Sequence, residues 1–183
     1  MTNSEREREL LAVTLQLLQE NGYDRLTVDE VAATAHASKA TVYRRWPTKA
    51  ELVLAAVTQG MSQVAVAPET GNLRNDLLHI GEAIAAQARA NAATMRAVLV
   101  ETSHNPALKA VMQHQFAERK KLITTVLHQA VERGEISAEA IDDELWDLLP
   151  GYLVFRAVIQ NRPATQRTVA ALVDDVILPS LRR

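Results

Sequence analysis

Apolar residues along this chain recur at spacings of three and four far more often than in alternation, so the pattern predicts helices almost throughout. From about Ser4 to Asn21, Leu11, Leu15 and Leu18 form one stripe, and Gly22 supplies the left-handed residue that ends such a helix. Two short segments follow. Thr27, with Glu30 three residues on, writes a capping box that starts a helix at Val28, puts Val28, Val31 and Ala32 on its packing side and ends near Ala35. Ser38 restarts the chain as an N-cap, and over roughly eight residues a step of ~100° puts Val42 and Trp46 on one side and Ala40, Thr41, Arg44 and Arg45 across the other. The next helix opens at Pro47 or Thr48, where a missing amide costs nothing, and turns Leu52, Val53, Ala56 and Val57 inward, ending before Pro68.

The turn residues from Pro68 to Asn72 mark the clearest break. Beyond it the pattern predicts a helix from Leu73 to Ala90, a short one from Ala92 to Glu101, and a long one from Pro106 to Arg133 ended by Gly134. Ser137 is placed to cap another, with Glu139, Asp142, Asp143 and Glu144 in its early turns. Those carboxylates have two readings, a cation site or favourable charge at a helix N-terminus, and the second is the simpler. The run LWDLLPGYLVFRAVI is apolar on more than one face, so it wants two partners, and Pro150-Gly151 is expected to kink it. A last helix, Thr165 to Leu178, carries Val169, Leu172, Val173, Val176 and Ile177. The whole reads as all-α, with about nine helices. Broad apolar faces on the last two read either as a four-helix interface between two copies of the chain or as intrachain core alone, and their breadth favours the interface.

The two short helices and the turn between them form a helix-turn-helix whose second helix carries Lys39, Arg44 and Arg45, with Lys49 opening the next helix. No acidic residue lies between Val31 and Ala50. Small residues near the start of the second helix let it approach the floor of a major groove; Ala40 or Thr41 can meet a thymine methyl, and an arginine can donate twice to a guanine edge. Thr27, Tyr43 and Lys49 stand where a hydroxyl or an ammonium can hold phosphates. The candidate DNA-binding residues are therefore Thr27, Ser38, Lys39, Ala40, Thr41, Tyr43, Arg44, Arg45 and Lys49. Trp46 is expected to pack against the first of the two helices, and His36 to take the left-handed position of the turn. Glu5-Arg6-Glu7-Arg8-Glu9 reads either as a DNA-contacting arm or as a solvated helix face; its alternation of sign favours the face.

This stretch resembles the DNA-binding region of the tetracycline-repressor (TetR) family of transcriptional regulators. The likeness runs from Glu20-Asn21-Gly22-Tyr23 through Leu26-Thr27-Val28, Ser38, Thr41-Val42-Tyr43-Arg44-Arg45-Trp46 and Thr48-Lys49 to Leu52, roughly the first third of the chain. His36 stands where that family often has glycine or asparagine, and Ala37 where valine is usual. The resemblance implies a homodimer paired through its last two helices and a ligand cavity among helices five to eight.

Composition narrows the partners. The 183 residues carry a net charge of −2 from 20 basic and 22 acidic side chains, so attraction to DNA must come from a local patch. The absence of cysteine excludes disulfides and thiolate chemistry. No apolar run approaches the ~18 residues that span a bilayer, and the charged N-terminus is unlike a signal peptide, so no membrane partner and a cytoplasmic location are expected. The length accommodates a DNA-binding head, residues 1–48, and a body for ligand binding and dimerisation, residues 49–183.

The reading that joins these features is a ligand-responsive, sequence-specific transcriptional regulator: a homodimeric repressor released from a palindromic operator in double-stranded DNA by a small-molecule effector. One short helix makes too few contacts for useful specificity, whereas two on a two-fold axis read half-sites ~34 Å or more apart. Met95, Leu99, Met112, Phe116, Trp146, Tyr152 and Phe155 are the candidate ligand-binding residues, although at those spacings plain core explains each more simply. The alternative is an all-helical small-molecule or metal-binding protein, or an enzyme, with a non-functional head. His114 with Glu118, or His79 with Glu82, would be its metal ligands, although single surface histidines explain them more simply. No nucleophile with its base and no phosphate loop stands out, so no catalytic residue, metal or cofactor is assigned.

Overall fold

Helix formation follows the apolar spacing closely in the computed structural model, which describes residues 3–61, 66–99, 101–141 and 143–181, all helices and connecting turns. The first helix, α1 (Asn3–Arg25), is interrupted at Gly22, whose φ of 77° lies in the left-handed region. Then come α2 (Val28–Thr34), α3 (Lys39–Arg45) and α4 (Lys49–Met61). Pro47 stands one residue outside the last of these, because Thr48 is the cap: its Oγ1 accepts from the Glu51 amide at 3.2 Å.

Four expectations are corrected. The helix expected to stop at Ala90 runs on as α5 (Leu73–Leu99), so the separate short helix does not exist; no glycine or proline lies between Glu82 and Leu99, and Asn91 Nδ2 is satisfied by the Gln87 carbonyl one turn back, at 3.1 Å. Helix α6 (Pro106–Glu132) is closed by Gly134 at φ 73° as expected. Ser137 makes no side-chain cap, and it precedes a single 3-10 turn, Ala138–Ala140, before α7 begins at Asp143. Asp142 and the side chains of Asp143 and Glu144 lie outside the described residues. Helix α7 (Asp143–Val158) continues through Pro150. The last helix, α8 (Gln166–Leu172), continues through a π-helical turn (Val173–Ile177) into Leu178–Leu181, so eight helices are found among the described residues where about nine were expected. Its stripe is narrower than expected: Val169, Val173 and Ile177 are buried, Leu172 is half-buried and Val176 is exposed.

By packing, the chain divides into one unit of Met1–Gln63 with Ala93–Gln115 and another of Val64–Ala92 with Phe116–Arg183, so α5 and α6 contribute to both. The division expected after Thr48 is one of role; by packing, α4 belongs with α1 to α3. Leu10, Leu18, Val31, Val42, Leu52 and Val57 are fully enclosed in the first unit. In the second, Leu77, Val126, Ala130, Leu149, Leu153 and Val173 form the centre of a core drawn from α5 to α8. One buried carboxylate sits at its margin. Asp76 accepts from the Thr70 amide (2.8 Å), the Thr70 hydroxyl (2.7 Å) and Arg133 Nη2 (3.3 Å), while Glu135 takes Arg133 Nε (2.6 Å) and the Leu73 amide (2.8 Å). The turn before α5 is thereby pinned to the end of α6, with every group of the cluster partnered.

Two helical glycines separate packing from propensity. A Cβ at Gly81 would stand 2.5 Å from Val169 Cγ1 and 3.3 Å from Leu149 Cδ1, against a stiff β-branched neighbour. At Gly60 the close atom is Leu15 Cδ2, the tip of a chain free to rotate. Gly81→Ala is expected to destabilise by about 1–2 kcal/mol despite alanine's better helix propensity, and Gly60→Ala to be neutral or stabilising by up to ~1 kcal/mol, read as opposite shifts of the urea midpoint.

Candidate nucleic-acid interface

Thr27 is extended, and its Oγ1 accepts from the Glu30 amide at 3.2 Å, which starts α2 where the sequence predicts. The box does not close: the Glu30 carboxylate takes Asn21 Nδ2 at 3.1 Å and ties the start of α2 to the end of α1. The turn after α2 is built on Ala35 N–H to Val31 O (2.9 Å) and Ala37 N–H to Ala32 O (2.8 Å), with His36 in the left-handed region at φ 50° as expected. Ser38 then caps α3: its Oγ accepts from the Thr41 amide at 3.1 Å and meets Thr41 Oγ1 at 2.7 Å.

The expected DNA-contacting residues fall into three groups. Ala40, Tyr43 and Arg44 are exposed, and Arg44 has no hydrogen bond or ion pair among the described residues. Thr27, Ser38 and Thr41 serve as caps or beside one, and the Thr27 hydroxyl, an acceptor in its bond, keeps its own proton to donate. The remaining three are cations already held. Lys39 Nζ lies 2.6 Å from Asp29 Oδ1, a bond that raises its pKa above the ordinary lysine value. Arg45 Nη1 lies 3.0 Å from Glu7 Oε2, with its side chain 19% exposed. Lys49 Nζ sits 4.4 Å from the centre of the Tyr23 ring and donates to the Asp24 carbonyl at 3.3 Å. Trp46 is buried and its amide donates to Val42 O at 3.0 Å, so it packs, as expected.

Two residues of this site escape the sequence reading. Arg6 Nη2 donates to the His36 carbonyl at 2.6 Å, and Glu7 supplies the partner of Arg45. Both belong to the alternating acidic and basic run that reads as a solvated face, and only their distance in space from the turn and α3 reveals otherwise.

Comparison with known proteins decides the family. The pattern described as "Bacterial regulatory proteins, tetR family" matches residues 10–56, and "Tetracyclin repressor-like, C-terminal domain" matches residues 67–176. The chain belongs to the TetR family of transcriptional regulators. This TetR-family protein is 71% identical over 181 residues to an uncharacterized HTH-type transcriptional regulator of Mycobacterium tuberculosis, covering 98% of this chain and 90% of the relative. It is 36% identical over 176 residues to the DNA-binding transcriptional repressor TetR of Mycobacteroides abscessus, covering 94% and 92% respectively. In fold it matches Salmonella enterica GusR with a TM-score of 0.74 at 17% identity, over 99% of this chain and 97% of that one. As a TetR-family member it is a DNA-binding transcriptional regulator, and the matched N-terminal pattern contains α2 and α3. No helix among the described residues is long and apolar enough to cross a membrane.

The residues expected to line a ligand cavity in this TetR-family regulator are distributed otherwise. Met95 and Met112 are buried, but Leu99, Phe116, Tyr152 and Phe155 are 50%, 42%, 41% and 47% exposed. The side chain of Trp146 lies outside the described residues. For Tyr152 and Phe155 periodicity could not separate the cases, because α7 is apolar on more than one face. One depression of about 370 Å³ is lined by Thr102, Ser103, Pro106 and Lys109, and another of about 330 Å³ by Asn72, Leu73, Arg74, Glu135, Ile136 and Leu178; neither uses an expected residue. Of the alternative metal ligands, Glu118 is in an ion pair with Lys121 at 2.6 Å.

Trp46→Ala is expected to destabilise the protein by about 3 kcal/mol, since the indole is buried beside the seven-residue α3. Far-UV circular dichroism across a urea titration measures this, and an unchanged midpoint would place Trp46 outside the core.

Proposed function

We propose that this regulator is a homodimeric repressor that reads a palindromic operator with two copies of α3 and leaves it when a small molecule binds the body. The observation that carries the dimer is a stripe on α7. Leu148, Tyr152 and Phe155, followed by Ile159 in the turn that continues the helix, are 39%, 41%, 47% and 58% exposed in the single chain. Their spacings of four, three and four keep them within about 60° of arc at ~100° per residue. Leu149, Leu153 and Ala157 are buried on the other side, and Val176 adds an exposed apolar side chain on α8. A continuous apolar stripe of this kind marks an interaction surface, and a second copy of the chain covers it by two-fold symmetry.

Operator reading is assigned to the open face of α3, with Arg44 as the base-reading or phosphate-neutralising cation and Ala40, Thr41 and Tyr43 around it. The repressive sign is supported by the Mycobacteroides abscessus relative, a DNA-binding transcriptional repressor. Release requires the effector to prefer one dimer form over the other by about 1–3 kcal/mol or more, and DNA must weaken effector binding by the same factor. Met95 and Met112 are the expected lining residues that lie inside the protein. Such a regulator acts in the cytoplasm, on the cell's own DNA.

The test is selection of duplex DNA from a random library by the purified protein, repeated with Arg44→Ala. A palindrome is expected, with affinity for it lowered by about 1–3 kcal/mol per half-site in the variant. Recovery of no motif at any salt would sink the operator reading. The dimer has its own check in Phe155→Asp. Burying that charge should shift the protein to monomer in light scattering and abolish operator binding while the helical signal persists, whereas an unshifted mass would remove α7 from the interface.

A further inference from the structure

Seven residues make α3 about 10 Å long, and Val42 is its only fully buried side chain. One apolar anchor plus the Trp46 that follows holds such a helix down, yet leaves its roll about its own axis poorly determined. Polar contacts at three points supply what packing lacks. Lys39 reaches Asp29 of α2 at its first residue, Arg45 reaches Glu7 of α1 at its last, and Arg6 of α1 holds the His36 carbonyl in the turn that precedes it. Arg44 and Arg45 are adjacent in sequence, so ~100° of helical step divides them between solvent and the α1 surface. Fixing Arg45 against Glu7 therefore fixes the direction in which Arg44 points.

We propose that the first turns of α1 aim the reading helix: Arg6 and Glu7 are positioning residues for DNA recognition, and Arg45 is a strut between α3 and α1 instead of a DNA contact. The inference rests on the reading that α3 enters the groove and assigns a role inside it. Two features oppose a direct contact by Arg45. Its side chain is 19% exposed, and a carboxylate 3.0 Å away already neutralises the charge that a phosphate would meet. Glu7 itself is 47% exposed, so a chain selected only for positive charge near DNA would do better without it.

That last point makes the proposal testable by sign. In a purely electrostatic account, Glu7→Gln removes a negative charge beside the DNA and tightens binding. In the positioning account it loosens Arg45 and the roll of α3, and binding weakens. For a pair of this exposure the expected loss is up to about fivefold per head. Arg45→Gln should weaken binding similarly while leaving the slope of log K against log salt unchanged; loss of a phosphate contact would reduce the size of that slope by about 0.9 per head. Arg6→Gln should follow Glu7→Gln.

The measurement is fluorescence-anisotropy binding of the full chain, wild type and the three variants, to the fragment that the wild type selects, across a series of salt concentrations. Thermal unfolding midpoints within a few degrees of wild type show that the variants fold. Tighter or unchanged binding by Glu7→Gln overturns the proposal, as does a slope reduced by one contact in Arg45→Gln. Failure of the wild type to select any fragment would bring down the operator reading itself, an outcome distinct from both.

Discussion

A reading helix of seven residues cannot form or orient itself. Helices shorter than about 12–15 residues are marginal in water, because the cost of nucleating the first turn is not recovered over so few hydrogen bonds. Every feature around α3 answers that constraint. Ser38 satisfies an amide that α3 leaves unpaired, Val42 and Trp46 anchor it, and Lys39 and Arg45 tether its two ends to α2 and α1. The turn before it holds a non-glycine residue at φ 50°, and the Arg6 guanidinium occupies that residue's carbonyl. Helix α1 is thus more than a roof: it supplies Asn21 to α2, Arg6 to the turn and Glu7 to α3.

The same constraint shapes the charge. A net charge of −2 gives the chain no overall attraction to DNA, so the reading face depends on a few cations in the right place. Three of the four cations between Lys39 and Lys49 are engaged with partners in the same packing unit: Lys39 with Asp29, Arg45 with Glu7, and Lys49 with the Tyr23 ring and the Asp24 carbonyl. An exposed pair such as Lys39 with Asp29 exchanges readily for a phosphate, since it contributes little in water. A half-buried one such as Arg45 with Glu7 exchanges less readily. Arg44 alone is free, among the described residues, to meet DNA without giving up a bond.

In the second packing unit the governing fact is that α7 is apolar on more than one face. A helix of that kind in one chain has to be covered twice. The core takes Leu149, Leu153 and Ala157, and the stripe from Leu148 to Ile159 stays uncovered. Tyr152 and Phe155 are exposed in the single chain, on the face that the proposed dimer covers. The buried Asp76 cluster, which holds the turn before α5 against the end of α6, keeps this unit's own geometry definite.

The features legible along the chain are those that depend on residues within a turn or two of one another. Gly22, Ser38, Thr48, Gly134 and Thr165 end or begin helices where expected, and Val28, Val31, Val42 and Leu52 are buried as their spacing requires, because capping and amphipathicity are local. The helix-turn-helix and its family were legible for the same reason. The errors were also local in origin: Ala90 to Ala92 carries no true breaker, and Ser137 has the composition and extended backbone of a cap but makes no side-chain cap hydrogen bond. Which charges are already committed, and which apolar face of α7 turns outward, follow from packing between distant parts of the chain. Glu7 and Arg45 are 38 residues apart, and no periodicity couples them. Arg44 and Arg45 are identical in chemistry and adjacent in sequence, and they differ because the packing of Val42 and Trp46 turns one toward α1 and the other toward solvent.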